Sequence, residues 1–366
     1  MKWTEGQGDL AGRLGTVPSM STESSGSDRS VLLCGLLCAG LAAAAVLLRP
    51  ALGPSRLVPS PSVLALVLGL ALALIPAVQA RFASAAKVIS KAVIPAAIVL
   101  IGFGMDLERL AGGGAIGGTL LVVVAAMVVA FLGAIVAGRV CGLEPRATLL
   151  LGAGTAVCGN SAIMAVAPTV KAKEEDLGLA IGVINLLGVA MLFVLPPVAA
   201  ALGVGGSAGG ALAGLTVHAV PQAIATGQAF GGTAEEWATL FKLLRVAMLV
   251  PTVVLLAVLL RDGGDAGERR KGVGVPHFVW LFVVASGLRA TGWLDGEVAV
   301  GEDARPLWGW LKQGGSWLLA LALAAIGLTL NVPRLVRVGP RFLLAGALAV
   351  LCMVAASLPM VLWLLG

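Results

Sequence analysis

Long apolar segments recur along almost the whole of this chain, and they constrain its fold more than any other feature. Crossing a bilayer takes about 20 apolar residues in a helix, which satisfies its own backbone hydrogen bonds. Only 12% of the residues are charged, whereas soluble domains have about 25%. The sequence therefore predicts an all-α polytopic membrane protein with about eleven transmembrane helices. The predicted segments are 31–48, 62–79, 92–105, 115–138, 147–168, 177–201, 208–229, 240–260, 277–292, 314–330 and 341–365.

The first 30 residues differ from the rest, being polar and rich in Ser and Gly. Such a composition buries too little apolar surface to fold alone, so we predict a disordered tail over residues 1–30 and a transmembrane domain over residues 31–366. The tail lacks the basic start and cleavage site of a signal peptide.

Basic residues are unevenly divided between the two sets of alternating loops. Cytoplasmic loops carry an excess of Lys and Arg, so the bias predicts a plasma-membrane protein with a cytoplasmic N-terminus. It also accounts for the net charge of +6 without a nucleic-acid partner. The basic residues assigned to inner loops are Arg81, Lys87, Lys91, Arg139, Arg146, Arg261, Arg269, Arg270, Lys271, Arg334, Arg337 and Arg341.

The apolar segment 147–168 is interrupted at its centre by Cys158-Gly159-Asn160-Ser161. Gly is a poor helix former, and Asn and Ser side chains compete for backbone hydrogen bonds. Inside a membrane, a backbone break is tolerated only where it is buried in protein or lines a cavity. Broken helices of this kind form the substrate sites of secondary transporters, so the interruption predicts where this protein binds its substrate.

A half-helix that restarts after this interruption predicts an anion site. Asn160 or Ser161 would be the N-cap, leaving the amides of Ala162 and Ile163 without partners and facing the break. Such amides, at the positive end of a helix dipole, bind anions. The alternative is a kink caused by Gly159, with Ser161 hydrogen-bonded to its own helix.

A second interrupted segment, 208–229, contains Pro221, which removes a backbone donor and breaks the helix. His218 and Gln222 lie four residues apart and would share a helix face if the helix continued through Pro221. A His inside a membrane span is a functional candidate, because it binds an anion when protonated or relays a proton. The alternative is a hydrogen bond between helices, the role that we also expect for Asn185.

Lys242 and Arg245 lie three residues apart at the start of the eighth segment and are predicted to line an anion path. The alternative is that both side chains snorkel to the lipid headgroups. No apolar segment carries a central Asp or Glu, which favours an anionic or zwitterionic substrate. The candidate substrate-binding residues are Cys158, Gly159, Asn160, Ser161, Ala162, His218, Gln222, Lys242 and Arg245.

Other chemistries leave little signal in the sequence. It has no Walker motif, no Cys-x-x-Cys pair and no set of nucleophile, base and orienting residue, so we expect neither an enzyme nor a cofactor nor a metal site. The expected partners are a small anionic substrate, the lipid bilayer, a coupling ion (sodium or a proton) and a second copy of the chain in a homodimer.

An internal repeat relates Ile101–Leu110 to Ile326–Leu335. The two copies lie in the third and tenth segments, an odd number of steps apart, so they would face opposite ways across the membrane. That is the pattern of an inverted-topology repeat. The alternative is chance similarity within a simple apolar alphabet. The repeat makes Asp106 and Asn331 equivalent.

The stretch Gly154-Thr-Ala-Val-Cys-Gly-Asn-Ser-Ala-Ile-Met-Ala-Val-Ala-Pro168 resembles the hallmark of the YeiH-like family of membrane proteins, which are designated sulfate exporters by prediction. The resemblance continues through 213–218, 241–246 and 316–328 and covers about residues 60–365. It implies an inner-membrane secondary transporter with the fold of sodium/proton antiporters (NhaA) and bile-acid transporters. That fold has a panel domain and a core domain with two crossed, broken helices.

Three positions depart from the family pattern. Asn160 stands where the family usually has Ala, Ala219 where it has Asp, and Gly104 where it has Arg. Because intramembrane charges persist mainly as pairs, we hypothesise that this Asp and Arg pair in the family and were lost together here.

The sequence as a whole therefore predicts a secondary transporter that moves a small anion, such as sulfate or a sulfonate, by alternating access. One alternative is a cation-coupled antiporter or organic-acid symporter on the same fold. The other is a non-transporting membrane sensor or scaffold.

Overall fold

The computed structural model describes residues 24–51, 60–105, 115–260, 276–300, 303–330 and 339–365. Almost all of these residues are helical, and a short antiparallel β-hairpin is the exception. The elements are α1 Ser24–Ala51, α2 Pro61–Ala73, α3 Pro76–Gly102, α4 Ala115–Val140, α5 Pro145–Ala156, α6 Asn160–Val166, α7 Glu174–Ala201, α8 Gly206–Thr216, α9 Val220–Phe230, α10 Ala234–Ala247, α11 Leu249–Leu259, α12 His277–Ala290, β1 Glu297–Val300, β2 Asp303–Pro306, α13 Leu307–Thr329 and α14 Pro340–Leu365.

Seven of the described helical stretches are long and apolar enough to cross a membrane, and α2 and α12 are shorter apolar helices. The protein is therefore an all-α polytopic membrane protein, as predicted. The seven stretches are Arg29–Ala51, Pro76–Gly102, Gly117–Val140, Glu174–Ala201, Ala234–Leu259, Leu307–Thr329 and Pro340–Leu365.

Two helices begin at residues other than those that the sequence predicts. The helix α1 begins at Ser24, inside the range predicted as a tail, while residues 1–23 lie outside the described part of the chain. The helix α3 starts at Pro76, whose missing N–H is no loss in a first turn, and it continues through Pro95 to Gly102. Arg81, Lys87 and Lys91 therefore lie within a helix, and the predicted loop there does not exist. Asp106 and Asn331 of the internal repeat lie outside the described residues.

The helices α1, α2, α3 and α13 share one apolar core and form what we term the first bundle. Glycines bring their backbones together: a Cβ atom on Gly69 would overlap Ala324, and one on Gly315 would lie 2.8 Å from the amide nitrogen of Ile101. Such close approach is how helices associate in lipid, where apolar surface alone gives no driving force.

The helices α4 to α11 and α14 form the second bundle. Within it α4 packs against α5 and α14, while α8 and α9 pack against α10. The two bundles meet along α9, which contacts α2 and α13, and the Ser60 hydroxyl donates to the carbonyl of Ala225 at 3.1 Å.

The first interrupted segment does not pass through the second bundle but turns back on itself. The ammonium group of Lys173, just after the segment, lies 3.0 Å from the carboxylate of Glu144, just before it. A Cβ atom on Gly154 would lie 2.9 Å from the side chain of Ile163. Since α5 alone is about 18 Å long, a segment running straight through would hold these groups far apart. The helices α5 and α6 therefore form a re-entrant hairpin, which we term hairpin 1.

The second interrupted segment reverses in the same way. A Cβ atom on Gly209, near the start of α8, would lie 2.6 Å from the ring of Phe230, at the end of α9. We term this pair of helices hairpin 2. The resemblance implies two crossed, broken helices, whereas both broken segments reverse here. The count of eleven crossings is not confirmed among the described residues, because apolar length does not distinguish a crossing from a reversal.

The two hairpins open at opposite ends of α7. This helix has 28 residues and is about 42 Å long, enough to span a bilayer. Its start follows hairpin 1 and its end precedes hairpin 2. The hairpins therefore enter the second bundle from opposite faces.

Candidate functional site

The tips of the two hairpins meet beside the middle of α7. A Cβ atom on Gly159, in the first tip, would lie 3.5 Å from the carbonyl oxygen of His218, in the second tip, and 3.3 Å from Ile184 of α7. A Cβ atom on Gly188 of α7 would lie 3.5 Å from the Cβ of His218 and 2.5 Å from Oε1 of Gln222. Gly188 lies halfway along α7, so this site is about equally far from the two faces.

The first tip reverses the chain at Gly159, whose φ of +72° lies in the region that favours glycine. Gly159 is also the N-cap of α6, so the predicted capping by Asn160 or Ser161 was wrong. The amides of Ala162 and Ile163 donate to the carbonyl of Gly159 at 3.1 and 3.2 Å. They are therefore not free to bind an anion, contrary to the prediction.

Asn160 and Ser161 are exposed at this tip, whereas Cys158 and Ala162 are buried. The amide nitrogen Nδ2 of Asn160 donates to Oδ1 of Asn185 on α7 at 2.7 Å. Asn185 thus forms a hydrogen bond between helices, as predicted, and it fixes hairpin 1 to the middle of α7.

The second tip is extended backbone at Val217 and Ala219, with ψ of 138° and 144°. The predicted break is confirmed, but Pro221 lies in the first turn of α9, where its missing N–H costs no hydrogen bond. His218 lies in the extended tip, so it does not share a helix face with Gln222.

Several buried polar atoms at the tips have no hydrogen-bond partner. They are Nδ1 and Nε2 of His218, Oε1 of Gln222 and Oγ1 of Thr155. His218 is 1% exposed and Gln222 4%. Because buried polar groups in proteins are nearly always paired, such a cluster calls for an explanation.

Lys242 and Arg245, both on α10, hold the two tips from behind. The guanidinium of Arg245 donates to the carbonyl oxygens of Thr155 at 2.6 Å and Ala156 at 3.1 Å, at the end of α5. It also donates to the carbonyls of Gly214, at 3.1 Å, and Leu215, near the end of α8.

The ammonium of Lys242 donates to the carbonyl of Val217 at 2.8 Å and lies 3.5 Å from that of Val157. Lys242 and Arg245 are essentially unexposed, so neither snorkels to the surface. They offset the negative ends of α5 and α8. No carboxylate among the described residues forms an ion pair with either cation.

The structure thus brings all nine predicted residues to one region, although Lys242 and Arg245 bind backbone and do not line an open path. Three residues of the site were not predicted: Thr155, Ile184 and Gly188. Gly188 could have been suspected as a glycine within an apolar helix, which signals a close approach. No feature of the sequence around Ile184 distinguishes it from the other apolar residues of α7.

Comparison with known proteins places the chain in a family. The profile described as "Conserved hypothetical protein 698" matches residues 32–346. A UPF0324 membrane protein of Agrobacterium fabrum is 31% identical over 302 residues, which cover 82% of this chain and 83% of the relative. The chain belongs to the UPF0324 family.

Other UPF0324 relatives include the inner membrane protein YeiH of Escherichia coli, which is 32% identical over 251 residues, covering 68% of this chain and 69% of YeiH. A UPF0324 membrane protein of Bradyrhizobium diazoefficiens is 31% identical over 305 residues, covering 82% of this chain and 83% of the relative. The predicted YeiH-like membership is therefore confirmed. No solved structure matches the chain. The region matched by the family profile, residues 32–346, includes both hairpins and the two cations of α10.

Proposed function

We propose that this UPF0324 protein is a secondary transporter that moves a small anion by alternating access. The observation that carries the proposal is the meeting of two oppositely opening hairpins at a cluster of unpaired polar atoms, on His218, Gln222 and Thr155. Helix breaks near the middle of the membrane are the usual construction of substrate sites in secondary transporters. A ligand with polar groups would pair these atoms and remove the free-energy cost of burying them alone.

The charges around the tips favour an anion. The negative C-terminal ends of α5 and α8 and the positive N-terminal ends of α6 and α9 meet there. Their partial charges of about half a unit each nearly cancel. Lys242 and Arg245 then contribute two positive charges that no described carboxylate neutralises. Sulfate or a small sulfonate is the first candidate, in line with the predicted designation of the YeiH-like family.

The arrangement of the hairpins supports alternating access, because each hairpin can gate the site from its own face. We propose nine crossing segments, formed by α1, α2, α3, α4, α7, α10 with α11, α12, α13 and α14, together with the two hairpins. The opposed hairpins support an inverted repeat, although they do not form the crossed helices of the antiporter fold.

We also propose a plasma-membrane location with hairpin 1 opening to the cytoplasm. The base of hairpin 1 then gathers Arg139, Arg146, Lys171 and Lys173 on the inner face, as the positive-inside rule requires. The cytoplasmic N-terminus follows from the same topology. The Escherichia coli relative, named an inner membrane protein, supports this location.

Transport assays in proteoliposomes test the proposal. Replacing His218→Ala or Ser161→Ala should abolish sulfate or sulfonate transport without loss of folded protein. Losing a hydrogen bond to a charged ligand costs about 1.5–3 kcal/mol, or roughly 10- to 150-fold in affinity. Matched controls are His277→Ala, at the start of α12, and Ser84→Ala, on the exposed side of α3. Wild-type rates in the His218 and Ser161 variants would remove both residues from the mechanism.

The same preparation separates the alternatives. A cation-coupled antiporter or organic-acid symporter gives a transport current that follows a sodium or proton gradient, whereas an uncoupled anion carrier follows neither. Folded protein that transports no anion under any gradient favours a sensor or scaffold. Cross-linking in the membrane tests the proposed homodimer.

A further inference from the structure

Gln222, in the first turn of α9, has a buried oxygen atom that a bare anion cannot pair. The side chain is 4% exposed, and its Oε1 has no hydrogen-bond partner among the described residues. An amide oxygen only accepts hydrogen bonds, and the oxygens of a fully ionised sulfate or sulfonate group also only accept them. Such an anion therefore leaves Oε1 of Gln222 as costly to bury as it is without a ligand.

The other groups at the tips suit the anionic part of a ligand. An imidazole N–H on His218 and the hydroxyl of Thr155 are buried donors without partners. Lys242 and Arg245 place two positive charges behind the tips, where they hold the backbone carbonyls of Val217 and Thr155. The site thus offers donors and positive charge to an acidic group, and Oε1 of Gln222 is an acceptor left over.

This acceptor lies beside His218, at the place where the tips meet α7. Oε1 of Gln222 and Cβ of His218 both lie within 3.5 Å of the point that a Cβ atom on Gly188 would occupy. The donor and the acceptor are therefore close enough for one small molecule to contact both.

We propose that the substrate is a small anion that also carries its own hydrogen-bond donor, an O–H or N–H group, and that Oε1 of Gln222 binds this donor. The inference rests on the proposed function and narrows it. A hydroxy- or amino-substituted sulfonate pairs every group of the site, whereas fully ionised sulfate leaves Gln222 unpaired. A substituted carboxylate offers the same chemistry, and the experiment below separates the two acidic groups.

Gly188 is a positioning residue for Gln222. A Cβ atom on Gly188 would lie 2.5 Å from Oε1, closer than a side chain tolerates. Because Oε1 is at the far end of a flexible side chain, Gly188→Ala should displace the amide and leave the helices in place. The substitution therefore moves the acceptor without removing it.

Matched ligands test for the donor. 2-Hydroxyethanesulfonate and 1-propanesulfonate have the same charge and nearly the same shape, and they differ by a hydroxyl in place of a methyl group. Each is titrated against the purified full chain in detergent, and its Kd is obtained from the rise in unfolding temperature. We expect the hydroxyl compound to bind about tenfold more tightly, because the methyl compound leaves a buried acceptor unpaired. The pair 3-hydroxypropanoate and butanoate repeats the comparison for a carboxylate.

Three variants assign the preference to Gln222. Gln222→Met keeps the length of the side chain without its acceptor and should abolish the preference. Gly188→Ala should reduce it, because the acceptor has moved. The matched control Gln228→Met, six residues further along α9 near the base of hairpin 2, should keep the tenfold ratio. A general loss of affinity cancels in this ratio.

The donor and the proposed function fail separately. A hydroxyl preference in one pair alone supports the proposal and identifies the acidic group. Equal affinities within both pairs, or a preference that Gln222→Met leaves intact, overturn the proposal. If an anion is transported in proteoliposomes without such a preference, the proposed function stands and only the donor is lost. If no anion binds or is transported, both are overturned.

Discussion

Hairpin 2 is enclosed in the second bundle, whereas hairpin 1 is partly open. The arms of hairpin 2 have 11 residues each, and residues 208–216 and 221–227 are all buried. The arms of hairpin 1 have 12 and seven residues, and its short arm α6 exposes Asn160, Ser161 and Met164. The same motif thus occurs in one molecule with two degrees of enclosure.

The difference follows from what each hairpin packs against. Glycines of hairpin 2 let its backbone touch α10: a Cβ atom on Gly214 would lie 2.5 Å from the carbonyl oxygen of Ala238. The short arm of hairpin 1, α6, contains no glycine that brings its backbone against another helix. Among the described elements its main contacts are with α5, α7 and α11. Since segments with few buried contacts open most readily, we expect hairpin 1 to open at lower free energy than hairpin 2.

The largest expected effect concerns the faces at which the hairpins open. In a chain without native cysteines, Glu144→Cys and Lys173→Cys should both react with a membrane-impermeant maleimide from one side only. Gly205→Cys and Thr233→Cys, at the base of hairpin 2, should react only from the other side. Labelling of Glu144→Cys and Lys173→Cys from opposite sides would show that the first segment crosses the membrane.

A large loss of stability should follow Arg245→Met, because one side chain holds both tips. Removing it leaves buried carbonyls at the ends of α5 and α8 unpaired. A hydrogen bond to a charged group contributes about 1.5–3 kcal/mol, so the loss should be at least that large. Thermal unfolding in detergent measures the loss. Arg289 pairs with Asp295 near the surface and stacks on the ring of Trp308, and it gives the control Arg289→Met, expected to cost about 1 kcal/mol. Equal losses in the two variants would contradict the role of Arg245.

An intermediate effect on stability should distinguish Gly214, which packs against α10, from a glycine that packs against nothing. Gly214→Ala forces a methyl group against α10 and should destabilise by about 1–3 kcal/mol in thermal unfolding. Gly178→Ala on α7 meets open space within 4 Å and should stabilise by about 0.5–1 kcal/mol, because it favours the helix. If both substitutions stabilise the protein, or both destabilise it, close packing of Gly214 against α10 is contradicted.

The smallest effect should come from the hydrogen bond between Asn160 and Asn185, which fixes hairpin 1 to α7. Asn160→Ala and Asn185→Ala combined in a double-mutant cycle should give a coupling energy of about 0.6 kcal/mol, typical of hydrogen bonds between membrane helices. The cycle is read from thermal unfolding. A coupling energy of zero would mean that the bond does not hold hairpin 1 in place.

Gly104 departs from the family pattern, and the structure shows which side chain occupies the space beside it. A Cβ atom there would overlap the stem of Lys312, whose ammonium already pairs with Glu236. An arginine at position 104 would compete for the space that Lys312 fills. The hypothesis that the lost Arg and Asp were partners stays a prediction.

The sequence by itself determined the membrane class, the positions of both helix breaks and the residues that gather at the tips. These properties depend on residue type over short distances: apolar length, the freedom of Gly159 and the missing donor of Pro221. Only the tertiary structure decided that each broken segment reverses, and that Lys242 and Arg245 bind helix ends. The direction of a chain after a break depends on what its second half packs against: α7 for both hairpins, and also α10 for hairpin 2. Residues next to the break do not reveal these partners.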